Sequence, residues 1–279
     1  MKILAGLAAL LVAFLGVGYW NATRPPVVVE VALPLPGLAP GTQIRVLQLT
    51  DIHVSNPDMP RARLEKIVAQ ANALKPDLIV LTGDYLGGKM IDWPRIYFED
   101  VATPLARLRA PLGVYAVLGN HDEPYWTAKL MAEAGSPKLL VNAHADAGPI
   151  VVAGVDSLHY HPDMAKALAG IPAEKPVLLL LPEGQQLVWA KPSRPVLALS
   201  GDTHGGQIVL PLIGSVGDFI HGAPLCRRGD CTINGQRIFV SSGIGTGWIP
   251  MRYGVPPEIV LITLISPLIL EAGPGAGGG

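Results

Sequence analysis

Residues 113–122 read GVYAVLGNHD, an apolar run followed by a cluster of polar residues. Short apolar runs that contain β-branched or aromatic residues are typical of buried strands. We therefore expect a strand here, with Asn120, His121 and Asp122 directly after its last residues. Gly-Asn-His-Asp after an apolar strand is a rare combination, so the stretch predicts a functional site at the end of this strand.

The same order of elements recurs along the chain. Open α/β sheets bind ligands beyond the carboxyl ends of their strands, so polar residues at several strand ends predict one shared site. Residues 59–75 place apolar side chains at helical spacing and predict a helix between the first two strands. The four further runs are IRVLQLT (44–50) before Asp51 and His53, DLIVLTG (77–83) before Asp84, PIVVAGVDS (149–157) with Asp156, and RPVLALSG (194–201) before Asp202 and His204.

Together, these strand ends supply carboxylate, amide and imidazole groups. Such mixed oxygen and nitrogen ligands suit Mn, Fe or Zn, and a carboxylate that bridges two ions is common in phosphoryl chemistry. Adjacent glycines let the backbone turn sharply and let a substrate approach. Two later runs, at 237–242 and 258–265, predict strands in the second half of a two-sheet core.

The amino terminus predicts a membrane segment. Residues 3–20 form an uninterrupted apolar stretch, and about 18 such residues are near the lower limit for a membrane-spanning helix. A cleaved signal peptide is the alternative, but no small-x-small cleavage site follows, and Tyr19 and Trp20 are typical of an interfacial belt. We expect residues 1–21 to be an uncleaved signal anchor, with the large domain translocated.

The remaining chain divides into three segments. Residues 22–42 are rich in proline and predict a stiff spacer that contains one short strand, residues 43–267 one catalytic domain, and residues 268–279 a flexible glycine-rich tail. The net charge is −1 and the longest basic run is the pair Arg227–Arg228, which argues against nucleic-acid binding.

Two further features depend on the location of the domain. Cys226 and Cys231 are five positions apart, and they would close a small disulfide loop only in an oxidising compartment. Four tryptophans could form a lipid-facing rim or could belong to the core, and the sequence leaves both alternatives open: Trp93, Trp126, Trp189 and Trp248.

On these motifs the sequence resembles the calcineurin-like metallophosphoesterase family, and in particular its bacterial membrane-associated branch. The resemblance covers about residues 43–267 and implies an α/β fold of two packed mixed β-sheets flanked by helices. It rests on the strand-end motifs and on LTGDY (81–85), YAVLGNHD (115–122), THGGQIVLPLIG (203–214) and GIGTGWIPMRYGVPPEI (243–259).

The resemblance also implies a role for each motif residue. The first of two divalent metal ions would be held by Asp51, His53, Asp84 and His204. Asp84 would bridge to a second ion, which Asn120 also binds. His121 would act as general acid toward a phosphoester attacked by a metal-activated hydroxide, with Asp122 orienting it, and Arg252 is a candidate for substrate binding.

Two ligands of the second ion depart from the family pattern. A histidine is expected near Leu181–Pro182, and the family's Gly-His-Thr-His is replaced by a sequence with Asp202. Three explanations remain open. Asp202 could ligate instead, with help from Glu183, which would favour Mn or Mg over Zn. The second ion could be weakly held or absent, or the chain could be a non-catalytic binding module.

The sequence therefore predicts a metal-dependent hydrolase of a phosphomonoester or phosphodiester. The anchor places it as a single-pass protein on the outer, periplasmic or extracellular, face of a bacterial cytoplasmic membrane, where a lipid-linked or envelope-derived substrate is plausible. The alternative is a degenerate phosphoesterase fold that binds without catalysis. The oligomeric state is left open by the sequence.

Overall fold

A computed structural model describes residues 1–90 and 92–267. The glycine-rich tail predicted for residues 268–279 lies outside the described residues. The chain begins with helix α1 (Lys2–Thr23), which is long and apolar enough to cross a membrane by length and composition. Its first half is exposed, and only its second half contacts the rest of the protein, because Gly18 and Ala22 are its buried residues.

The first sheet has six strands in the order β1-β14-β2-β3-β4-β5. The pair β14 and β2 is antiparallel and the other neighbours are parallel, so the sheet is mixed. The strands are β1 (Val27–Pro34), β2 (Ile44–Leu49), β3 (Leu78–Leu81), β4 (Val114–Ala116), β5 (Lys138–Leu139) and β14 (Glu258–Ile265).

The neighbours of two strands were not expected from the sequence. Strand β14 was expected in the second half of the core, but it lies inside the first sheet, between β1 and β2. The short strand expected within residues 22–42 is β1, whose eight residues all pair with β14, and Leu33 within it and Leu35 and Leu38 after it are buried. A continuous apolar run predicts a strand buried on both faces but does not identify its neighbours.

The second sheet also has six strands, in the order β12-β13-β9-β8-β7-β6. Its four central strands are parallel, and both edge strands are antiparallel to their neighbours. The strands are β6 (Ala143–Asp146), β7 (Val151–Gly154), β8 (Val177–Leu180), β9 (Leu197–Ser200), β12 (Gly229–Ile233) and β13 (Gln236–Val240).

The two sheets pack face to face. One buried cluster contains Val46, Val80 and Val260 from the first sheet, together with Leu178 and Leu199 from the second. Alternate strand residues face two further clusters, one under the helices of each sheet, as the two-residue period of a strand requires. The predicted fold class, two packed mixed sheets flanked by helices, is confirmed.

Helices cover the outer face of each sheet. The predicted helix at 59–75 is α2, and it packs on the first sheet through Leu64, Ile67, Val68 and Ala71. The helices are α2 (Arg61–Ala73), α3 (Glu99–Leu105), α4 (Pro124–Ala134), α5 (Met164–Leu168), α6 (Gln186–Trp189) and α7 (Val216–His221), with a 3-10 turn at His204–Gly206 and a small hairpin of β10 (Val209–Leu210) and β11 (Gly214–Ser215).

The carboxyl ends of the two sheets meet at one edge of the sandwich. The buried Gln48 amide at the end of β2 donates to Thr82 Oγ1 beyond β3, at 3.1 Å, and to Ser200 O at the end of β9, at 2.9 Å. These hydrogen bonds join the strand ends of both sheets, so the loops after β2, β3, β4 and β9 surround a common space.

Candidate metal centre

Three loops bring the ligands predicted for the first ion together at this edge. Asp51 and His53 follow β2, Asp84 follows β3, and His204 follows β9. The Asp51 N–H donates to Gly83 O at 3.1 Å and the His53 N–H to Asp84 O at 3.0 Å. The first two loops are therefore fixed to each other through their backbones before any ligand side chain is considered.

Five of the predicted ligands have left-handed backbone conformations. The φ angles are 49° at Asp51, 47° at His53, 58° at Asp84, 73° at Asp202 and 50° at His204. Residues other than glycine seldom adopt this region, and such strain concentrates at functional sites. The surrounding fold therefore holds these residues in costly conformations that turn their side chains toward a common point.

Two glycines are needed for the close approach of ligand carboxylates. A Cβ at Gly119 would lie 2.1 Å from Asp84 Oδ1, and a Cβ at Gly201 would lie 2.4 Å from Asp51 Oδ2. Either contact is shorter than heavy atoms tolerate. The glycines were expected to admit a substrate, whereas the structure shows that they make room for the ligands themselves.

The first metal site is a compact group of nitrogen and oxygen atoms. One ligand atom from each of Asp51, His53 and His204 lies within 4.8 Å of the others. The Nε2 atoms of the two histidines face each other at 3.1 Å. Asp84 Oδ2 lies 3.6 Å from His53 Nε2, and Asp51 Oδ1 lies 3.9 Å from His204 Nε2. The four residues predicted for this ion are thus neighbours.

The electrostatics of this group favour a bound cation. His53 Nδ1 lies 2.9 Å from Gly87 O, so its proton belongs there and the Nε2 lone pair faces the site. Burial lowers the pKa of His53 to about 3, so the imidazole is neutral. Burial raises the pKa of Asp51 to about 7, and its Oδ2 atom is buried without a hydrogen-bond partner among the described residues. A divalent cation would satisfy these groups.

The residues predicted for the second ion, Asp84, Asn120 and Asp202, carry side-chain oxygen atoms. The Asn120 amide lies 3.1 and 3.2 Å from the two Asp84 carboxylate oxygens and donates to both when its nitrogen faces them. Asp202 lines a cavity of about 360 Å³ together with Asp84 and His121. Burial, followed by the charge of Asp51, raises the pKa of Asp202 to about 7. Leu181 is fully buried in the core and offers no ligand.

Glu183 has a different position from the one expected for it. It was considered as a ligand that would assist Asp202, but its side chain is buried in a network of its own. Its carboxylate accepts hydrogen bonds from Ser157 Oγ at 2.5 Å, from Leu158 N at 3.1 Å and from Gln186 Nε2 at 3.0 Å. The side chain therefore holds the turn after β7, and its lone pairs are used by that turn.

Asp122 does not orient His121 in the way that was predicted. Asp122 Oδ2 accepts from the N–H groups of Asp84 and Gly119, each at 2.8 Å, and Oδ1 accepts from Tyr85 N at 2.8 Å. Burial raises its pKa to about 6, against the effect of these hydrogen bonds. Among the described residues its bonds go to backbone N–H groups, so Asp122 is a positioning residue for the loop of Asp84.

His121 is exposed at the edge of the cavity. Its N–H donates to Asp84 Oδ1 at 3.0 Å, and its ring lies edge-on to His53, with 5.1 Å between ring centroids. Partial burial and then the nearby charge of His159 lower the pKa of His121. The neighbouring Tyr160 hydroxyl donates to Asp122 O. The segment 159–161 therefore borders the predicted acid.

Arg252 cannot serve as the predicted substrate-binding residue. Its side chain is fully buried, and its guanidinium donates to Gly245 O at 2.6 and 2.8 Å and to Ser242 O at 2.8 Å. Burial lowers its pKa to about 10, and its charge helps to lower the pKa of Asp51. Arg252 therefore stabilises the loop at 242–247 and compensates the charge of a ligand.

A buried ion pair that the sequence did not predict lies beside the site. Lys89 Nζ lies 2.5 and 2.6 Å from the Asp58 carboxylate oxygens, and Thr246 Oγ1 donates to the same carboxylate at 2.9 Å. These groups join three loops around the metal ligands. Because the partners are far apart in sequence and belong to no motif, neither the residue pattern nor the spacing predicts that they interact.

The comparisons with known proteins agree with this geometry. A family model described as calcineurin-like phosphoesterase matches residues 44–206, which is more than half of the chain. The "Transmembrane protein with metallophosphoesterase domain" of Danio rerio is 32% identical, over 92% of this chain and 62% of its own length. Metallophosphoesterases of Bacillus subtilis and Aquifex aeolicus are each 32% identical, over 80% and 81% of this chain and 79% and 87% of their own lengths.

The relatives differ in length. The chain spans about three fifths of the vertebrate relatives that it matches, which are named as transmembrane proteins with this domain. It covers a larger share of the two bacterial relatives.

Substitution of Arg252 separates its structural role from the predicted substrate-binding role. In Arg252→Met, buried carbonyl groups lose their donors and a compensating charge beside Asp51 is removed. We expect the free energy of unfolding of the full chain in detergent to fall by about 2–5 kcal/mol. The exposed Arg95→Met is the control and should change it by less than about 0.5 kcal/mol. Unchanged stability with a raised KM would restore the substrate-binding role.

Proposed function

The chain belongs to the calcineurin-like phosphoesterase family, and from that premise we propose that it hydrolyses a phosphomonoester or phosphodiester with the help of divalent cations. The observation that carries the proposal is the group formed by Asp51, His53 and His204, whose ligand atoms lie within 4.8 Å of one another beside the Asp84 carboxylate. Neutral imidazoles and carboxylates brought this close are the ligands of a catalytic metal.

The first cation would have four protein ligands. Asp51, His53, Asp84 and His204 would hold one cation. Bound cations supply Lewis acidity, which lowers the pKa of water and neutralises charge on the phosphoryl oxygens. The hydrogen bond from His53 Nδ1 to Gly87 O fixes the ring orientation, as outer hydrogen bonds of metal-binding histidines generally do.

His121 is the group proposed to donate a proton. In hydrolysis the oxygen of water forms a bond to phosphorus, and the bond between phosphorus and the leaving oxygen breaks. That oxygen needs a proton, which His121 Nδ1 or Nε2 can supply because the ring is exposed at the cavity. A lowered pKa makes the protonated ring a stronger acid.

A second cation would be held by Asp84, Asn120 and Asp202. These side chains provide oxygen atoms, and hard oxygen ligands favour Mn or Mg over Zn. Asp202 thus takes the position of an expected histidine, and its N–H also donates to Asp51 Oδ1 at 2.9 Å, which links the two sites. A single-cation enzyme and a non-catalytic binding module are the alternatives that the experiment below distinguishes.

The proposal includes a place for the protein in the cell. We propose that α1 spans a membrane once and that the domain lies on the outer face of a bacterial cytoplasmic membrane. Two observations support this: the apolar composition of α1, and the disulfide between Cys226 and Cys231, because such bonds persist in oxidising compartments. A lipid-linked or envelope-derived phosphoester is the substrate that fits this location.

Metal content and turnover test the proposed activity. Full-length protein in detergent is supplied with Mn, Mg or Zn, and its hydrolysis of a soluble bis-aryl phosphodiester is measured together with bound metal by mass spectrometry. We expect two ions per chain and the fastest turnover with Mn. His121→Gln should lower kcat by about 10²- to 10⁴-fold without loss of metal, because only proton donation is removed.

The variants decide between the alternatives. Asp202→Ala should lose one ion and most of the Mn-dependent turnover, whereas His144→Gln, an exposed histidine on β6, should behave as wild type. One ion with full turnover would show that the second site is dispensable. No bound ion and no turnover with any of the metals would overturn the enzyme and leave the binding module.

Thiol counting tests the proposed location. If the domain faces an oxidising compartment, protein extracted from its native membrane under alkylating conditions should show no reactive thiol before reduction. After reduction in denaturant it should show two, since the chain contains two cysteines. Two alkylated thiols in the unreduced sample would instead place the domain on the reducing side of the membrane.

A further inference from the structure

A group of exposed apolar side chains lies on segments that line the cavity of Asp84 and His204 or adjoin that lining. We name it the apolar collar, and it consists of Leu212 and Ile213 in the β10–β11 hairpin, Phe219 and Ile220 in α7, and Trp248. Their exposed fractions run from 58% for Ile213 to 109% for Leu212. Single exposed apolar residues are ordinary, but several on neighbouring segments mark an interaction surface.

The collar is part of the wall of the metal cavity. The cavity of about 360 Å³ that contains Asp84 and His204 is also lined by Ile220, Trp248 and Ile249. Gln207 fixes this wall, because its amide donates to Gly247 O and Ile249 O at 3.0 and 3.1 Å. A ligand in the cavity therefore has metal-binding groups on one side and apolar side chains on another.

Helix α1 contacts the segment that continues from this wall. Gly18 O accepts from Arg252 N at 3.0 Å. The Phe14 ring stacks on Tyr253 with 4.6 Å between centroids, and the Tyr253 hydroxyl donates to Phe14 O. Tyr253 O accepts from Val209 N at 2.9 Å, which leads into the hairpin of the collar. The helix and the collar are thus joined through one short stretch of chain.

The length of α1 sets the depth of this contact in a membrane. Residues 2–13 extend beyond the domain, and 12 residues of helix span only about 18 Å, whereas the hydrocarbon core is about 30 Å thick. The whole apolar stretch 3–20 spans about 27 Å. Phe14 must therefore lie inside the hydrocarbon if α1 crosses the bilayer, about 9 Å below Trp20. Tyr253, which stacks on Phe14, is carried to the same depth.

We propose that the apolar collar docks on the bilayer that α1 spans, and that the metal cavity takes the phosphoester headgroup of a membrane amphiphile whose chains lie along Ile220 and Trp248. The inference rests on the proposed function for its chemistry, but the docking follows from α1 and the collar alone. It places the reacting phosphorus at the membrane surface, so that a lipid enters from the bilayer rather than from water.

The compensated charge beside the collar and the connection of the collar to α1 favour a lipid surface as its binding partner. The carboxylate of Asp218, which directly precedes the collar residues of α7, is paired with Arg227, so its charge is compensated. A protein partner or a second copy of the chain would compete for the same face. If α1 spans the bilayer, however, the helix holds this face against the lipid. Interfacial segments of this kind bind by burying apolar side chains at the boundary between headgroups and acyl chains.

Depth-dependent quenching tests the docking without reference to activity. Full-length Phe219→Cys is labelled with an environment-sensitive fluorophore, with the Cys226–Cys231 disulfide left oxidised, and is reconstituted in phosphatidylcholine vesicles that contain nitroxide-labelled lipid. We expect emission to fall by about twofold or more. The control Val141→Cys lies at the sheet edge opposite β1 and should not be quenched. Equal, weak quenching at both positions would overturn the docking, whatever occupies the collar instead.

Two phosphomonoesters with the same headgroup test the substrate class. Dioleoylglycerol phosphate is presented in the vesicles, and its dibutyryl analogue is presented in solution. The triple variant Leu212→Asn, Ile213→Ser and Phe219→Ser should lose about tenfold in turnover of the vesicle substrate and retain turnover of the soluble one, because only docking is impaired. Val141→Ser should match wild type on both.

The outcomes separate this inference from the proposed function. Equal turnover of both substrates by wild type and triple variant would overturn the lipid substrate and leave the hydrolase intact. Equal loss on both would also overturn it, since the collar would then act on the site in general. Absence of turnover by wild type on every phosphoester would overturn the proposed function, while the quenching measurement would still decide the docking.

Discussion

Several carboxyl groups are buried together where the two sheets meet, and the surrounding fold has to accommodate them. Burial raises the pKa of the carboxyls of Asp51, Asp84 and Asp122, and neighbouring carboxylates raise it further at Asp51 and Asp84. Asp122 is compensated by backbone N–H groups, and Asp51 partly by the buried guanidinium of Arg252. The carboxylates of Asp51 and Asp84 also face neutral imidazoles, and a bound cation would compensate their charge. The strained backbones and the glycines serve to maintain this arrangement, which is unfavourable without metal.

The two sheets hold the buried carboxylates and imidazoles rigidly. Helix α1, in the proposed location, would orient them relative to the membrane. Gln48 fixes the strand ends of both sheets to each other, and the Lys89–Asp58 pair fixes the loops around them. Helix α1 then packs on the segment that begins at the cavity wall and ends at Tyr253. In the proposed orientation, in which α1 spans a bilayer, this contact turns the opening of the cavity toward the lipid.

The convergence of the proposed ligands could be predicted from the sequence, and the roles of their neighbours could not. Asp51, His53, Asp84 and His204 each follow a recognisable strand, and parallel strands deliver their ends to one place. Direction of a side chain has no such pattern: Arg252 turns into the core, Asp122 toward backbone N–H groups, and Glu183 toward the turn at 157–158. Strand β14 was placed in the wrong sheet because a uniformly apolar strand carries no information about its neighbours. The exposure of Trp248 and of the other collar residues likewise depends on tertiary packing.

The position of a bound ion directly tests whether Asp51, His53 and His204 hold a metal. Crystals of the full chain grown with Mn should be measured near the Mn absorption edge, and an anomalous difference map should be calculated. We expect a peak about 2.0–2.3 Å from the Nε2 atoms of His53 and His204 and from a carboxylate oxygen of Asp51. A map without a peak between these atoms, with the two imidazoles hydrogen-bonded to each other or to water, would contradict the metal centre and with it the hydrolase.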